Sequence, residues 1–238
     1  MRYFIEFAYK GTNYHGSQVQ PNGVTVQGVM QDAFLTILRQ PVALTFAGRT
    51  DSGVHALQMF AHFELDTTPP TPERLNRLLP EDIAVYRIFP VAEDMHARFS
   101  AVSRTYEYRI VTSKSPFTPH LRTYIPGPLD YAAMNNAAQL LLGTHDFATF
   151  CKAHTDSKTT ICTVTEAEWK TDGNGAIFTI TANRFLRNMV RAIVGTLFEV
   201  GRHRISLEDF EAVIASLSRQ SAGQSVPPDG LFLTHVRY

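Results

Sequence analysis

Two successive runs of β-α-β-β-α-β patterning predict an α+β protein. It would consist of two ferredoxin-like (split βαβ) halves, residues 1–103 and 104–238, with adjoining antiparallel sheets and a central cleft. Three observations carry this. Aromatic and β-branched strands alternate with amphipathic helical stretches. The alternation restarts near Arg104. A long polar, glycine-bearing loop interrupts the first half between two apolar strands.

The elements follow in order. Residues 2–9 read as a strand. Residues 25–39 carry Val26, Val29, Met30, Ala33, Phe34, Ile37 and Leu38 at helical spacing, with Thr25 placed to cap them. Residues 42–47 and 57–65 read as strands, 72–79 as a short helix and 83–90 as a strand. The proline-rich TTPPTP at 67–72 reads as a surface loop. In the second half RTYEYRIV is a strand. Residues 130–142 are a helix capped by Asp130 and ended by Gly143. Strands fit 163–170 and 176–182. Residues 184–200 predict a long amphipathic helix stopped by Gly201. A helix over 207–217 and a final strand, LFLTHVRY, complete the chain.

Composition narrows the class. With 238 residues, 44% hydrophobic, the chain can bury a large core and does not have the composition of a disordered protein. No apolar run approaches the ~20 residues that span a bilayer, and MRYFIEFAYKG reads as a strand, not a signal peptide, so a cytoplasmic protein away from membranes is expected. The cysteines Cys151 and Cys162 are then free thiols. His145, Asp146 and His154 lie near them, but the spacing fits no usual zinc pattern and no metal is expected. Net charge is zero, which counts mildly against nucleic acid binding. Distribution matters more: between Asn183 and Arg204 five arginines face the single acid Glu199, and Arg184, Arg187 and Arg191 are spaced to share one helical face.

GRTDSGVHA, residues 48–56, is the densest polar constellation. Asp, Ser and Gly also make ordinary turns. A hairpin, however, needs only two to five linking residues, and this loop spends nine. Asp51 at its tip can serve as nucleophile or base at an anomeric carbon, as carboxylates do in retaining glycosidases. To stay ionised it wants a guanidinium partner, for which Arg49 and the 184–191 arginines are the candidates.

GRTDSGVHA resembles the catalytic motif of the TruA family of pseudouridine synthases. Five further stretches resemble that family's motifs in the same order: YKGTNYHGSQVQ (9–20), HARFSAVSRTYEYRI (96–110), GTHDF (143–147), NRFLRNMVRAIVGTL (183–197) and PPDGLFL (227–233). The resemblance implies roles. Asp51 matches the nucleophile, Tyr106 the tyrosine stacked on the target uracil, and Arg191 the basic residue paired with the catalytic carboxylate. Arg49 matches the arginine that helps hold the flipped-out site open. Leu231 matches a pocket leucine, with Leu233 as the competing alignment. Arg184 and Arg187 face RNA or solvent. Of Tyr106 and Tyr108, expected on opposite sides of their strand, the motif favours Tyr106 as the site residue. The resemblance further implies a homodimer acting on the tRNA anticodon stem-loop at positions 38, 39 and 40, without a cofactor.

The first motif departs from the family pattern in two places. Lys10 stands for an aspartate, and Ser17 stands for a tryptophan, which bears on local packing or an RNA contact. Two rival readings are a catalytically inactive RNA-binding protein of the same fold and a metal-dependent hydrolase using Asp51, His55 and His62. The histidines, however, read as structural.

Overall fold

The computed structural model describes residues 1–114, 116–118, 120–152 and 159–238. The chain is mixed α and β and forms two compact units: Met1–Val102 with Phe232–Tyr238, and Ser103–Leu231. The first contains β1 (Arg2–Tyr9), α1 (Val26–Leu38), β2 (Thr45–Phe46), β3 (His55–Glu64), α2 (Pro72–Asn76) and β4 (Ile83–Val91). The second contains β5 (Ser103–Val111), β6 (Thr123–Tyr124), α3 (Tyr131–Gln139), β7 (Gly143–Asp146), β8 (Ile161–Asp172), β9 (Gly175–Ala182), α4 (Met189–Gly201) and α5 (Leu207–Ala215). The final strand, β10 (Leu231–Arg237), lies in the first unit except for its first residue.

In the first unit β1 is central, antiparallel to both β4 and β3. The other edge of β3 is shared. β2 pairs antiparallel at His62 and Ala61, and β10 pairs parallel at His55 and Ala56. Both faces of β1 are covered, as Phe4 and its neighbour Ile5 are buried. Phe63 meets Phe34 of α1 edge-on at 5.1 Å, and Phe4 and Phe60 pack against Tyr238 at 5.1 and 5.3 Å. Fully burying each such ring is worth about 1.5–3 kcal/mol. Thr25 caps α1 by accepting the Gly28 N–H at 3.2 Å.

In the second unit β5, β9, β8 and β7 run antiparallel in that order, with β6 parallel to β5. Trp169 of β8 packs on Phe178 and on Phe198 of α4, at 5.1 and 5.8 Å. Asn135 of α3 bonds both backbone groups of Trp169, pinning helix to strand. Asp130 and Ser206 cap α3 and α5, the latter through a reciprocal capping box with Asp209.

Several element expectations are corrected. The 42–47 strand shrinks to Thr45–Phe46, because the side-chain amides of Gln27 and Gln31 bond the carbonyls of Leu44 and Val42 in place of a ladder. The 72–79 helix ends at Asn76. The helix expected over 130–142 ends at Gln139, and Gly143 opens β7 instead of terminating it. The helix expected over 184–200 starts only at Met189, because Asn188 adopts a left-handed conformation with φ 66°. Arg184 and Arg187 therefore precede the helix and do not share a face with Arg191. Gly201 is the last helical residue, and a β-carbon there would meet the Met134 sulfur at 2.4 Å. Its hydrogen lets α4 approach α3. Among the described residues, no helix is long and apolar enough to cross a membrane.

Candidate active site

The Asp51 loop is held by the segment Tyr9–Ser17, the first of the family-like motifs. Gly11 donates its N–H to His55 Nδ1 at 3.0 Å, and a β-carbon on Gly11 would stand 1.9 Å from the Val54 carbonyl oxygen. The Tyr14 carbonyl accepts from the Ser52 hydroxyl at 3.1 Å and the Gly53 N–H at 3.4 Å. Thr50, immediately before Asp51, is bound on three sides. Its N–H donates to Ser17 Oγ at 2.9 Å, its carbonyl accepts the Ser17 N–H at 3.2 Å, and its hydroxyl meets the Tyr9 hydroxyl at 2.8 Å. Gly16, at φ +89°, brings the chains this close; a β-carbon there would sit 2.8 Å from the Thr50 oxygen.

The supporting segment is anchored in turn. The Tyr14 hydroxyl donates to Asp82, Asn13 Nδ2 bonds the same carboxylate at 3.2 Å, and the Lys10 N–H bonds the Asp82 carbonyl at 2.9 Å. Burial first, and the bond to Asp82 second, push the Tyr14 phenol well above its ordinary range. The loop length now has a cause. Its nine residues dock along a second polypeptide segment, which a two-residue turn could not reach. Asp51 emerges half-buried at the tip, its carbonyl accepting the Val54 N–H at 3.2 Å, while Arg49 is exposed.

The other expected site residues divide between the units. Tyr106, half-buried on β5, meets Phe185 edge-on at 5.0 Å. The expectation that Tyr106 and Tyr108 point to opposite sides of the strand is corrected. β5 pairs with β9 in unbroken register, and residues two apart on a strand share a face. They differ in depth along it. Tyr108 is fully buried, its hydroxyl at 2.8 Å from Thr123 Oγ1 and donating to the Pro227 carbonyl at 2.9 Å. Burial pushes its phenol up, and the nearby Arg191 guanidinium acts the other way.

Arg191 lies in the first turn of α4. Its Nε donates to the Val226 carbonyl at 2.7 Å, and its own carbonyl accepts the Val226 N–H at 3.1 Å. That approach needs Gly195, whose absent β-carbon would lie 1.8 Å from the Gln224 oxygen. Arg184 is half-buried and Arg187 exposed, both in the turn before the helix. Leu231 and its alternative Leu233 are both buried at the start of β10.

The histidines act as packing groups. His55 is buried, accepts from Gly11 and stacks on Phe232 at 4.5 Å. His62 Nδ1 accepts the Ala97 N–H at 3.1 Å. Burial, helped by His96 and Arg2, pushes His62 down to about 4. Seven residues apart on one strand, at roughly 3.3 Å per residue, the two histidines are too distant to share a metal ion with Asp51. His145 Nε2 bonds the Leu142 carbonyl, and Asp146 accepts the Ala148 N–H; His154 lies outside the described residues. Cys151 and Cys162 are buried, and burial pushes the Cys162 thiol up to about 11. Among the described residues no group of three His, Cys, Asp or Glu side chains is placed to hold a metal.

Comparison with known proteins decides the family. A protein of Bacteroides fragilis named tRNA pseudouridine synthase A is 51% identical over 242 residues, spanning 100% of this chain and 96% of its own. The chain belongs to the tRNA pseudouridine synthase A family. A namesake from Bacteroides thetaiotaomicron is 52% identical over 100% of this chain and 90% of its own. One from Staphylococcus aureus is 36% identical over 99% of this chain and 91% of its own. A family model described as tRNA pseudouridine synthase matches residues 137–238. The synthase family thus spans both units, including the Asp51 loop that the family model does not reach.

The sequence reading missed what Tyr9, Gly11, Gly16 and Ser17 do. The one signal available was the close pair of glycines at 11 and 16 within an otherwise polar stretch, which marks close backbone approach without naming the partner.

Proposed function

We infer that this chain is a tRNA pseudouridine synthase, an isomerase that converts uridine in tRNA to pseudouridine. The observation that carries the reading is likeness over the whole chain to synthases at 46–52% identity. The reaction breaks the N1–C1′ bond and forms C5–C1′, while the C5 hydrogen is lost and N1 gains one. Composition is unchanged, so neither a redox cofactor nor ATP is consumed.

Asp51 is the nucleophile in this reading. A half-buried carboxylate on a loop whose backbone is clamped suits attack on a reacting centre with little reorganisation. The target uridine leaves its stack, at a cost of a few kcal/mol that is smaller in a loop than in a stem. The Tyr106 ring then offsets part of that cost by stacking, at about 1–3 kcal/mol. Arg191, held through its Nε by Val226, takes the basic role that the family-like motif gives it. Arg49 keeps the extruded-base site open, Leu231 lines it, and Arg184 and Arg187 contact the RNA. The fold behind it is two ferredoxin-like halves. The protein works in the cytoplasm as a homodimer on the anticodon stem-loop, at tRNA positions 38, 39 and 40. The residue roles, the dimer and the tRNA positions rest on the family-like motifs, the two halves on the repeated order of elements, and the location on the apolar-run and signal-peptide reading of the sequence.

The test uses unmodified tRNA transcripts with wild type and Asp51→Asn, EDTA present throughout, and maps pseudouridine by carbodiimide modification and primer stops. Product in the anticodon stem-loop from wild type alone, with equal tRNA binding by both proteins, is expected. Appreciable turnover by Asp51→Asn would remove it from the nucleophile role. Tight binding without product from either protein would favour the inactive RNA-binding reading. Sedimentation of the wild type at the same concentration checks the dimer.

A further inference from the structure

We propose that Ser17 is a positioning residue for the reaction, acting through Thr50 to fix the direction in which the loop delivers Asp51. The inference rests on the synthase reading above.

Both backbone groups of Thr50 are held by the same residue: its N–H by Ser17 Oγ at 2.9 Å, its carbonyl by Ser17 N–H at 3.2 Å. Two contacts to one rigid residue fix the peptide planes on both sides of Thr50, and Asp51 follows on the second of them. Of the two, only the bond to Oγ depends on the side chain at position 17. Ser17 is 0% exposed, so water cannot take the place of a lost hydroxyl. Thr50 is itself buried, at 7% exposure, and its N–H would be left without an acceptor.

The family resemblance places a tryptophan at this position. An indole side chain has no hydroxyl to offer a backbone N–H. The bond to Thr50 is therefore a device of this chain and not of that pattern. A nucleophile displaced by about 1 Å can lose about 10²-fold in rate without any change at the atoms that react. The role of Ser17 then lies in turnover and not in tRNA affinity, because it is fully buried and so is not exposed to an RNA.

The experiment compares wild type, Ser17→Ala and Ser17→Cys in single-turnover pseudouridine formation at saturating tRNA transcript, with tRNA Kd measured separately. Amide hydrogen exchange is followed in the peptide spanning residues 48–54. Ser17→Cys fills nearly the same space with a much weaker acceptor, so it keeps the packing while removing most of the bond. The expected result is a rate constant at least tenfold lower for Ser17→Ala, with Ser17→Cys between it and wild type. Kd should stay within about twofold, and exchange at Thr50 should be faster in both variants.

A Ser17→Ala rate within about twofold of wild type would overturn the proposal. So would a Kd that rises in step with the rate loss, or a Ser17→Cys protein as fast as wild type where Ser17→Ala does not fold, since space-filling would then account for the residue. Rapid exchange at Thr50 in the wild type would remove the clamp whatever the activity. A slowly exchanging Thr50 in a wild type that makes no pseudouridine would instead overturn the synthase reading and, with it, the catalytic role of Ser17.

Discussion

At the residue scale, the loop around Asp51 is held by groups that lie mostly outside it. Gly11 and Gly16 leave room for backbone, Ser17 and Tyr9 provide hydroxyls, and His55 provides a lone pair to an N–H. His62 carries a separate consequence. The unfolded imidazole titrates near 6.5, whereas in the fold it is held down to about 4. Between those values the unfolded chain binds a proton that the folded chain refuses. The contribution of His62 to stability is therefore full above pH 6.5 and falls as pH is lowered toward 4. His96, lowered mainly by its own burial, acts in the same direction. Thermal melts from pH 7.5 to 4.5 should show a falling Tm, with a shallower fall in His62→Asn. A slope unchanged by that substitution would assign the pH dependence elsewhere. The residue type and position of Asp51 were legible in the sequence because polar residues between apolar strands stand out. Its clamp was not, since Tyr9 and Ser17 lie more than thirty positions away.

At the element scale, α4 is where pattern and structure part. The arginine spacing at 184, 187 and 191 suits a helix, yet Asn188 turns left-handed and the helix begins after it. The three arginines consequently have different surroundings. Arg187 is exposed in the turn, its carbonyl bonded to the Lys152 N–H, whereas Arg191 is tied to Val226. This separates their expected effects. Arg187→Ala should weaken tRNA binding and reduce the slope of log Kd against log salt by about 1, with turnover at saturation retained. Arg191→Ala should lower turnover far more than affinity. The two are told apart by measuring Kd across salt and single-turnover rates on one tRNA transcript. An affinity loss alone in Arg191→Ala would make that residue only a phosphate contact. Periodicity cannot foresee such a break, because one residue in a left-handed conformation changes the phase of all that precede it.

At the scale of the whole molecule, the last seven residues belong with the first unit, more than one hundred positions away in sequence. Phe232 and Leu233 pair with the start of β3, the Val236 N–H bonds Gln58 at 3.1 Å, and the Tyr238 hydroxyl bonds the Ala97 carbonyl at 2.7 Å. Phe232, Leu233 and Val236 are buried, each worth about 1.5–3 kcal/mol, against a typical total stability of about 5–15 kcal/mol. Removing residues 232–238 should therefore unfold the first unit or leave it open to protease, which limited proteolysis would show as early cleavage within residues 1–102. A first unit that stays resistant would mean β10 is dispensable to it.

The sequence by itself determined the mixed α and β character, most of the strands and helices, the loop bearing Asp51 and the family resemblance. All are encoded locally, in apolar periodicity, capping residues and runs of polar motif. Only the tertiary structure decided that the 9–17 segment grips that loop, that β10 completes the sheet of the first unit, and that α4 begins after Asn188. Each depends on which distant backbone groups meet, and hydrogen-bond partners across long separations leave no periodic trace in the chain.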